Sequence, residues 1–190
     1  MTNYSRKPAQ DGKSAHTSRK DIRAHYKNTY ETARAIQGLS LKKAQTYLAS
    51  VLEHKQCIPV RRYNSHVART GQATQFGVTQ GRWFDKSVKI IQELLTNLES
   101  NAKAKQLDVS KLIIRHVQVN RAPKTNRRTY RAHGRVTPYR SSPCHVEIFA
   151  EEPFENVPKP EKKTVGRITA RKEARSKIRR FLAVGGDKKN

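Results

Sequence analysis

The segment from Asn120 to Ile148 constrains the fold most, because it has too few apolar side chains to build a core. It reads NRAPKTNRRTYRAHGRVTPYRSSPCHVEI and holds seven Arg or Lys residues, three prolines and one glycine. Glu147 is its first acidic residue. A segment of this composition is expected to be disordered in isolation and to take one shape when a partner binds it.

Patterns typical of β-strands flank this segment on both sides. KLIIRHVQVN, residues 111–120, is rich in β-branched residues, and CHVEIFA, residues 144–150, places Val146 and Ile148 on one face. Strands joined by a local connection normally pair antiparallel, and Gly134 lies near the middle of this connection as a turn signal. We therefore predict an extended β-hairpin over residues 118–146.

The overall charge points to a polyanionic partner. The chain has 190 residues, a formal net charge of +25, a pI near 10.6 and only 35% hydrophobic residues. Such a charge repels itself unless it is neutralised, which favours nucleic acid first and an anionic membrane surface second. No apolar stretch approaches 18 residues, and the polar start lacks the apolar region of a secretory signal. We expect no membrane insertion and no secretion.

Four further segments have the periodicity of regular elements. The alternation over Asp21–Asn28 predicts a strand, with Ile22, Ala24 and Tyr26 on one face. Thr29–Gly38 predicts a short helix capped by Thr29. Ser40–Lys55 and Asp85–Gln106 carry apolar residues at helical spacing, with Ser40 and Asp85 as their cap candidates.

A second acid-free region lies between the last two predicted helices. Residues 57–84 contain four arginines, three glycines and no acid. The region is too long for a plain connector, so it is either a functional loop or a disordered one. For its arginines we favour contact with RNA, whereas Trp83 favours packing at the start of a helix.

The two ends of the chain differ from the middle in composition. Residues 1–13 are predicted to form a flexible extension, and the domain proper to span 14–153. After Pro153 the Pro- and charge-rich PFENVPKPEKK reads as a linker, and residues 154–190 form a basic extension. Its stretch 167–184 is either a basic helix that reaches RNA or a solvated tail.

Residues that could carry catalysis or bind a metal lack the partners such sites need. Cys57 and Cys144 do not have the spacing of metal ligands, and His133 has no local carboxylate to orient it as a base. His116 and His145 favour cross-strand packing or phosphate contact over metal binding, since no third ligand is evident. Since no nucleotide-binding glycine motif is present either, we predict no enzyme, no cofactor and no metal.

The hairpin and the acid-free loop have the composition of an RNA-binding surface. Arginine grips phosphate oxygens in pairs and stacks on bases, and tyrosine offers a face for stacking. The competing classes are a chromatin-type DNA binder, which would show a recognition helix or Lys-rich tails, and an RNA-processing enzyme, which would need clustered acids. The predicted RNA-binding residues are Arg61, Arg62, Arg69, Arg82, Arg121, Lys124, Arg127, Arg128, Tyr130, Arg131, Arg135, Tyr139 and Arg140.

Several motifs resemble one known family. HYKNTYETARAIQG, KQCIPVRRYN, TQGRW, ESNA and RRTYRAHGR are similar to the universal large-subunit ribosomal proteins numbered twenty-two in bacteria and seventeen in eukaryotes, in particular to the eukaryotic branch. The resemblance covers roughly residues 14–153. It implies an α+β fold, in which three helices pack on a small antiparallel three-stranded sheet. A long extended β-hairpin and basic terminal extensions are added to this fold.

The same resemblance implies a role. The family binds large-subunit rRNA, supports subunit assembly and lines the nascent-polypeptide exit tunnel with its hairpin. The tip would be formed by Arg131, Ala132, His133, Gly134 and Arg135. The implied partners are rRNA, neighbouring large-subunit proteins and, transiently, the nascent polypeptide. The implied location is the cytosolic ribosome, with passage through the nucleolus during assembly.

Overall fold

The computed structural model describes residues 4–8, 11–153, 172–175 and 177–178. The chain divides into two units, Met1–Pro153 and Phe154–Asn190. In the second unit, residues 172–175 and 177–178 are helical, and the remainder of the helix predicted over 167–184 lies outside the described residues. Within the part of the chain that the structure describes, no helix has the length and apolar character needed to cross a bilayer.

The described residues of the first unit form three α-helices and seven strands. The helices are α1 (Tyr26–Ile36), α2 (Leu41–Leu52) and α3 (Asp85–Ala104). The strands are β1 (Ser14–Ile22), β2 (Ile58–Pro59), β3 (Gly81–Arg82), β4 (Ile113–Arg121), β5 (Asn126–Tyr130), β6 (Val136–Arg140) and β7 (Cys144–Glu151).

The main sheet is three-stranded and antiparallel, as expected from the sequence. Its order is β1-β7-β4, so the last strand of the unit lies in the centre and pairs with a neighbour on each side. Alternate residues of a strand face opposite sides. Val146, Ile148 and Ala150 of β7 belong to the hydrophobic core, whereas Glu147 and Phe149 face the other way. The α+β architecture predicted from the sequence is confirmed.

The helices complete the core on the inner face of this sheet. The apolar stripe predicted for α3 is buried, and Ile91, Leu95 and Leu98 are fully inaccessible to solvent. Burial of each such side chain contributes roughly 1.5–3 kcal/mol relative to an exposed one. The stripe packs against α2 and β1, so the three long elements share one core. The core therefore lies between the helices and the sheet, and β5 and β6 contribute nothing to it.

The strand predicted over Asp21–Asn28 is wrong. β1 ends at Ile22, and α1 begins at Tyr26. Asp21 has a φ of 51°, which interrupts the extended backbone, and the imidazole of His25 accepts the Lys27 backbone N–H at 3.3 Å and so caps the helix. Ile22 and Ala24 are both buried, but Ile22 is the last residue of β1 and Ala24 lies in the turn that leads to α1.

The three cap predictions were only partly correct. Thr29 is wrong as a cap, since it lies inside α1 and its hydroxyl donates to the carbonyl of His25 at 3.1 Å. Ser40 does occupy the N-cap position of α2, but its side chain makes no capping hydrogen bond. Asp85 is the first residue of α3, and Phe84 takes the cap position. The Asp85 carboxylate therefore favours the helix through its dipole and not as a cap.

The acid-free region 57–84 folds into a short two-stranded structure. β2 pairs antiparallel with β3, a 3-10 helix spans Gly71–Phe76, and a bridge joins Arg69 to Gln80. An added Cβ at Gly81 would lie 2.6 Å from the Cys57 Sγ, so only glycine fits at this close approach. Burial raises the pKa of the Cys57 and Cys144 thiols, so both stay protonated at neutral pH.

Candidate nucleic-acid interface

The hairpin continues beyond the sheet as a separate two-stranded ladder. β5 pairs antiparallel with β6, from Asn126 opposite Arg140 to Tyr130 opposite Val136. The tip closes through the Arg131 backbone N–H, which donates to the Arg135 carbonyl at 2.7 Å. His133 and Gly134 follow each other with φ values of 57° and 68°, which reverse the chain in a tight turn.

This ladder has no core and carries no negative charge. All residues from Tyr130 to Ser141 are exposed, and Tyr130 and Tyr139 expose 76% and 59% of their surface. No acidic residue occurs between Asp108 and Glu147. A two-stranded ribbon without a packed face is marginally stable in water. The hairpin therefore offers a polyanion a surface of cations and rings without local repulsion.

The ladder presents two different faces. Directly opposite residues of an antiparallel pair share a face, and the next pair lies on the other. Arg127 and Tyr139 form one such pair, and the Arg127 guanidinium lies 5.0 Å from the centre of the Tyr139 ring. The opposite face carries Asn126, Arg128, Tyr130, Val136, Pro138 and Arg140.

A cluster of three tyrosines lies where the hairpin leaves the globular part. Tyr26 and Tyr30 of α1 meet Tyr63 of the 57–84 region, with ring centres 5.5–6.2 Å apart. Burial raises the pKa of Tyr26, and the neighbouring Tyr63 hydroxyl raises it further, so this phenol stays neutral. We call these three residues the tyrosine cluster.

Cations surround the tyrosine cluster. The Arg121 guanidinium lies 5.0 Å from the Tyr26 ring centre, and that of Arg62 lies 5.4 Å from Tyr30. The Lys27 Nζ is 5.5 Å from the Tyr63 ring centre. Contacts of this kind contribute about 0.5–1 kcal/mol each at exposed sites. They bring α1, the 57–84 region and the start of the hairpin together on one surface.

A buried carboxylate fixes the backbone of the neighbouring arginines. Glu31 is only 2% exposed, and its two oxygens accept the backbone N–H groups of Arg61, Arg62 and Tyr63 at 2.8–3.2 Å. The negative charge is therefore enclosed, while the side chains of Arg61 and Arg62 remain exposed. Glu31 therefore fixes the backbone of two exposed arginines while its own carboxylate stays out of solvent.

The structure joins some of the predicted RNA-binding residues and separates others. Arg62 and Arg121 meet at the tyrosine cluster, and Lys124 follows on the rising arm of the hairpin. Arg69 and Arg82 are exposed within the 57–84 region, where Arg69 is bridged to Gln80 and Arg82 pairs with Ile58. Arg61 also lies in the 57–84 region, where its guanidinium donates to the Phe76 carbonyl at 2.8 Å. The other predicted residues lie on the ladder and its tip: Arg127, Arg128, Tyr130, Arg131, Arg135, Tyr139 and Arg140.

The tyrosine cluster and its anchor were not predicted from the sequence. The alternating pattern placed Tyr26 in a strand, and no pattern joined Tyr30, Tyr63, Lys27 or Glu31 to a surface. One signal was available, because Tyr26 and Tyr30 are four residues apart and share a face once that segment is helical. The approach of Tyr63 and Glu31 depends on tertiary structure, and nothing in their spacing indicates it.

Two of the histidines singled out from the sequence, His116 and His145, and also Trp83, contact neighbouring groups of the globular part. The His116 ring stacks on Phe149 with centres 4.8 Å apart, and its Nε2 lies 3.0 Å from the Glu147 carboxylate. His145 accepts the backbone N–H of Asp21 at 3.0 Å. Trp83 packs against the core beside His54. Among the described residues, no group of three His, Cys, Asp or Glu side chains could hold a metal ion.

Known proteins resemble this chain over most of its length. It is 53% identical to the large ribosomal subunit protein uL22A of Schizosaccharomyces pombe over 177 residues, 93% of this chain and 94% of that protein. It is 55% identical to uL22 of Bombyx mori over 80% of this chain and 81% of that one. With uL22A of Saccharomyces cerevisiae the identity is 48%, over 96% of this chain and the whole of that protein.

The family model described as ribosomal protein L22p/L17e matches residues 17–151. This range contains the main sheet, the three helices, the 57–84 region and the hairpin. Since the match spans most of the chain and the relatives agree over most of their own length, this chain belongs to the ribosomal protein L22p/L17e family, whose members are structural constituents of the large ribosomal subunit and not enzymes.

Proposed function

We propose that this chain binds the rRNA of the large ribosomal subunit, supports the assembly of that subunit and lines the nascent-polypeptide exit tunnel with its hairpin. The observation that carries the proposal is the exposed β5–β6 ladder, which is rich in arginine, free of acids and without a core. Such a ribbon buries too little apolar surface to be stable by itself. Contacts with RNA phosphates would neutralise its charge and stabilise its extended conformation.

The proposed RNA contacts follow from the charge and the exposure of the side chains. We assign the ladder, its arms and the arginines of the 57–84 region to phosphate and base contact. Arginine suits this role because its planar donors grip phosphate oxygens in pairs. The proposed set is Arg61, Arg62, Arg69, Arg82, Arg121, Lys124, Arg127, Arg128, Tyr130, Arg131, Arg135, Tyr139 and Arg140.

The tunnel role is assigned to the tip. Arg131–Arg135 form the tight turn at the end of the ladder, and their side chains are exposed. In the assembled subunit these residues contact the nascent polypeptide transiently, while the rest of residues 14–153 contacts rRNA and neighbouring proteins. Residues 1–13 and 154–190 are proposed as a flexible and a basic extension of this part, respectively. The chain then works in the cytosolic ribosome and passes through the nucleolus during assembly.

A salt titration of the wild type and of a hairpin variant tests the RNA contacts. The affinity of the full chain for a large-subunit rRNA fragment is measured over a range of KCl concentrations, for the wild type and for Arg127→Gln/Arg128→Gln/Arg131→Gln. Each lost phosphate contact lowers the slope of log affinity against log salt by about 0.7–0.9. The triple variant is expected to bind weakly, with a slope smaller by about 2, and to unfold thermally like the wild type.

The matched control removes three charges from the globular part. Lys43, Lys86 and Lys89 are exposed residues of α2 and α3, and their change to glutamine alters the net charge equally. This control is expected to retain most of the affinity. An affinity insensitive to salt, or an equal loss in both triple variants, would contradict the assignment to the hairpin.

A photocrosslinking experiment tests the tunnel role. A photoreactive amino acid replaces His133 in chains assembled into large subunits, and ribosomes are stalled on a labelled nascent polypeptide. The crosslink is expected at His133 and not at the control position Lys89, which lies on the exposed side of α3. Crosslinks to rRNA alone from position 133 would restrict the proposal to RNA binding.

A further inference from the structure

A second feature of the RNA surface is a pocket at the root of the hairpin. Its lining residues include Tyr26 and three cations, Lys27, Arg121 and Lys124, together with Pro143 from the descending arm. The three cations are exposed, and none of the described carboxylates lies within ion-pair distance of them. We call this concavity the root pocket.

The ring and the arginine of the root pocket are already arranged for a phosphate. The Arg121 guanidinium lies over the Tyr26 ring at 5.0 Å. An arginine held in this way spends little further side-chain entropy when its in-plane N–H donors meet an anion. Lys27 and Lys124 add two point charges, and the neutral phenol of Tyr26 adds no repulsion. The pocket therefore combines an apolar ring with three cations.

The walls of the pocket are fixed by backbone hydrogen bonds. The Tyr26 N–H donates to the Ser142 carbonyl at 3.0 Å, which ties the start of α1 to the descending arm. The Ala122 N–H donates to the Pro143 carbonyl at 3.1 Å, which ties the rising arm to the descending arm. Three chain segments thus meet around the concavity, and its form does not depend on the ladder beyond it.

The geometry points to a site for one unpaired nucleotide of RNA in the root pocket. Its phosphate contacts Lys27, Arg121 and Lys124, and its base packs against the exposed part of the Tyr26 ring. This inference rests on the proposed RNA-binding function and deepens it, because it assigns a nucleotide site to the globular part that is separate from the hairpin ladder. Stacking of a base on an aromatic ring tolerates any base, so the site requires an unpaired nucleotide and not a particular sequence.

Charge variants of the full chain test the phosphate contacts. The probe is an oligouridylate of about ten nucleotides, with an unlabelled RNA duplex of similar length for comparison. Lys27→Gln/Lys124→Gln is expected to weaken oligouridylate binding on the order of ten-fold at about 0.1 M salt and to lower the salt slope by about 1.4. The control Lys86→Gln/Lys89→Gln removes the same charge from α3 and is expected to change the affinity about two-fold or less.

Variants of Tyr26 and a crosslink test the ring. Tyr26→Leu keeps a half-buried apolar side chain without a ring and is expected to lose more affinity than Tyr26→Phe, which loses only the hydroxyl. An oligouridylate that carries 4-thiouridine is expected to crosslink to peptides containing Tyr26 or Arg121. Millimolar inorganic phosphate is expected not to suppress this crosslink, because it cannot supply the base.

The outcomes separate this inference from the proposed function. If the wild type binds RNA with a steep salt dependence but the root-pocket and control variants behave alike, the nucleotide site is refuted and rRNA binding stands. Crosslinks confined to the ladder and its tip also refute the site. If inorganic phosphate abolishes the crosslink, the nucleotide site is also refuted, because the pocket then binds a simple anion. If the wild type does not bind RNA, both proposals fail together.

Discussion

At the scale of single residues, Glu31 shows how one acid supports a basic surface. The chain has 15 Asp and Glu residues and 40 Lys and Arg residues, and a carboxylate exposed beside the proposed RNA-binding surface would weaken its attraction for phosphates. Glu31 avoids this conflict because it is buried and its oxygens are occupied by three backbone N–H groups. The charge acts inside the molecule, where it orients the segment that carries Arg61 and Arg62.

Removal of this carboxylate should destabilise the chain strongly. Glu31→Ala leaves three N–H groups without their charged acceptor, and we expect the free energy of unfolding to fall by about 2–4 kcal/mol. Glu31→Gln keeps one acceptor oxygen and should lose about half as much. Urea denaturation of the full chain measures both values.

An exposed acid provides the comparison. Glu93 lies on α3 and pairs with Arg19, and both side chains are at least half exposed. Glu93→Ala should change the free energy of unfolding by about 1 kcal/mol or less. Equal effects of the changes at Glu31 and at Glu93 would show that the contacts of Glu31 contribute nothing beyond an ordinary surface pair.

At the scale of elements, the hairpin depends on its turn because it has no packed face. His133 and Gly134 both have left-handed backbone angles. A side chain in this region clashes with the backbone and costs roughly 1–2 kcal/mol, whereas glycine accepts it freely. His133 already bears such a strain, so Gly134 is the position where a further side chain would open the tip.

We expect Gly134→Val to open the tip of the RNA-bound hairpin. The Arg131 N–H, which donates to Arg135 at 2.7 Å, should then exchange with solvent about ten-fold faster in the complex with an rRNA fragment. His133→Gly relieves strain at the neighbouring position and should leave this amide protected. Unchanged exchange in Gly134→Val would mean that the turn is not left-handed in the complex.

At the scale of the whole molecule, charge and stability oppose each other. A net charge of +25 on 190 residues repels itself in the compact state. At 0.1 M salt, repulsion between exposed charges more than about 10 Å apart is largely screened. The same screening weakens attraction to phosphates, so RNA affinity and the stability of the free chain should respond to salt with opposite signs.

We expect the RNA-free chain to become more stable as sodium chloride rises from about 0.05 to 0.5 M. The free energy of unfolding from urea titration should increase by about 1 kcal/mol or more, while RNA affinity falls over the same range. The titration uses a chloride salt and not a sulfate salt, because sulfate stabilises folded proteins through exclusion from their surface and would obscure the effect of screening. A flat or falling stability would show that self-repulsion is negligible in the free chain.

The sequence alone determined those features that arise from local pattern and composition. The stripe of α3, the strands around 111–120 and 144–150, and the turn at Gly134 appear where their periodicity or turn chemistry placed them. The acid-free hairpin was also visible, because charge and apolar content are properties of the chain. Asp21–Asn28 was misread as a strand, since two buried residues that alternate across a turn have the same spacing as a strand.

Tertiary structure decided everything that joins distant residues. Tyr26 and Tyr63 are 37 positions apart and meet only because the 57–84 region folds back onto α1, where the Glu31 carboxylate holds it. The root pocket likewise needs the start of α1 beside both arms of the hairpin. Such contacts depend on which elements pack against each other. The pattern of residues along the chain shows which face of a helix or strand is apolar, but it does not show which other element covers that face.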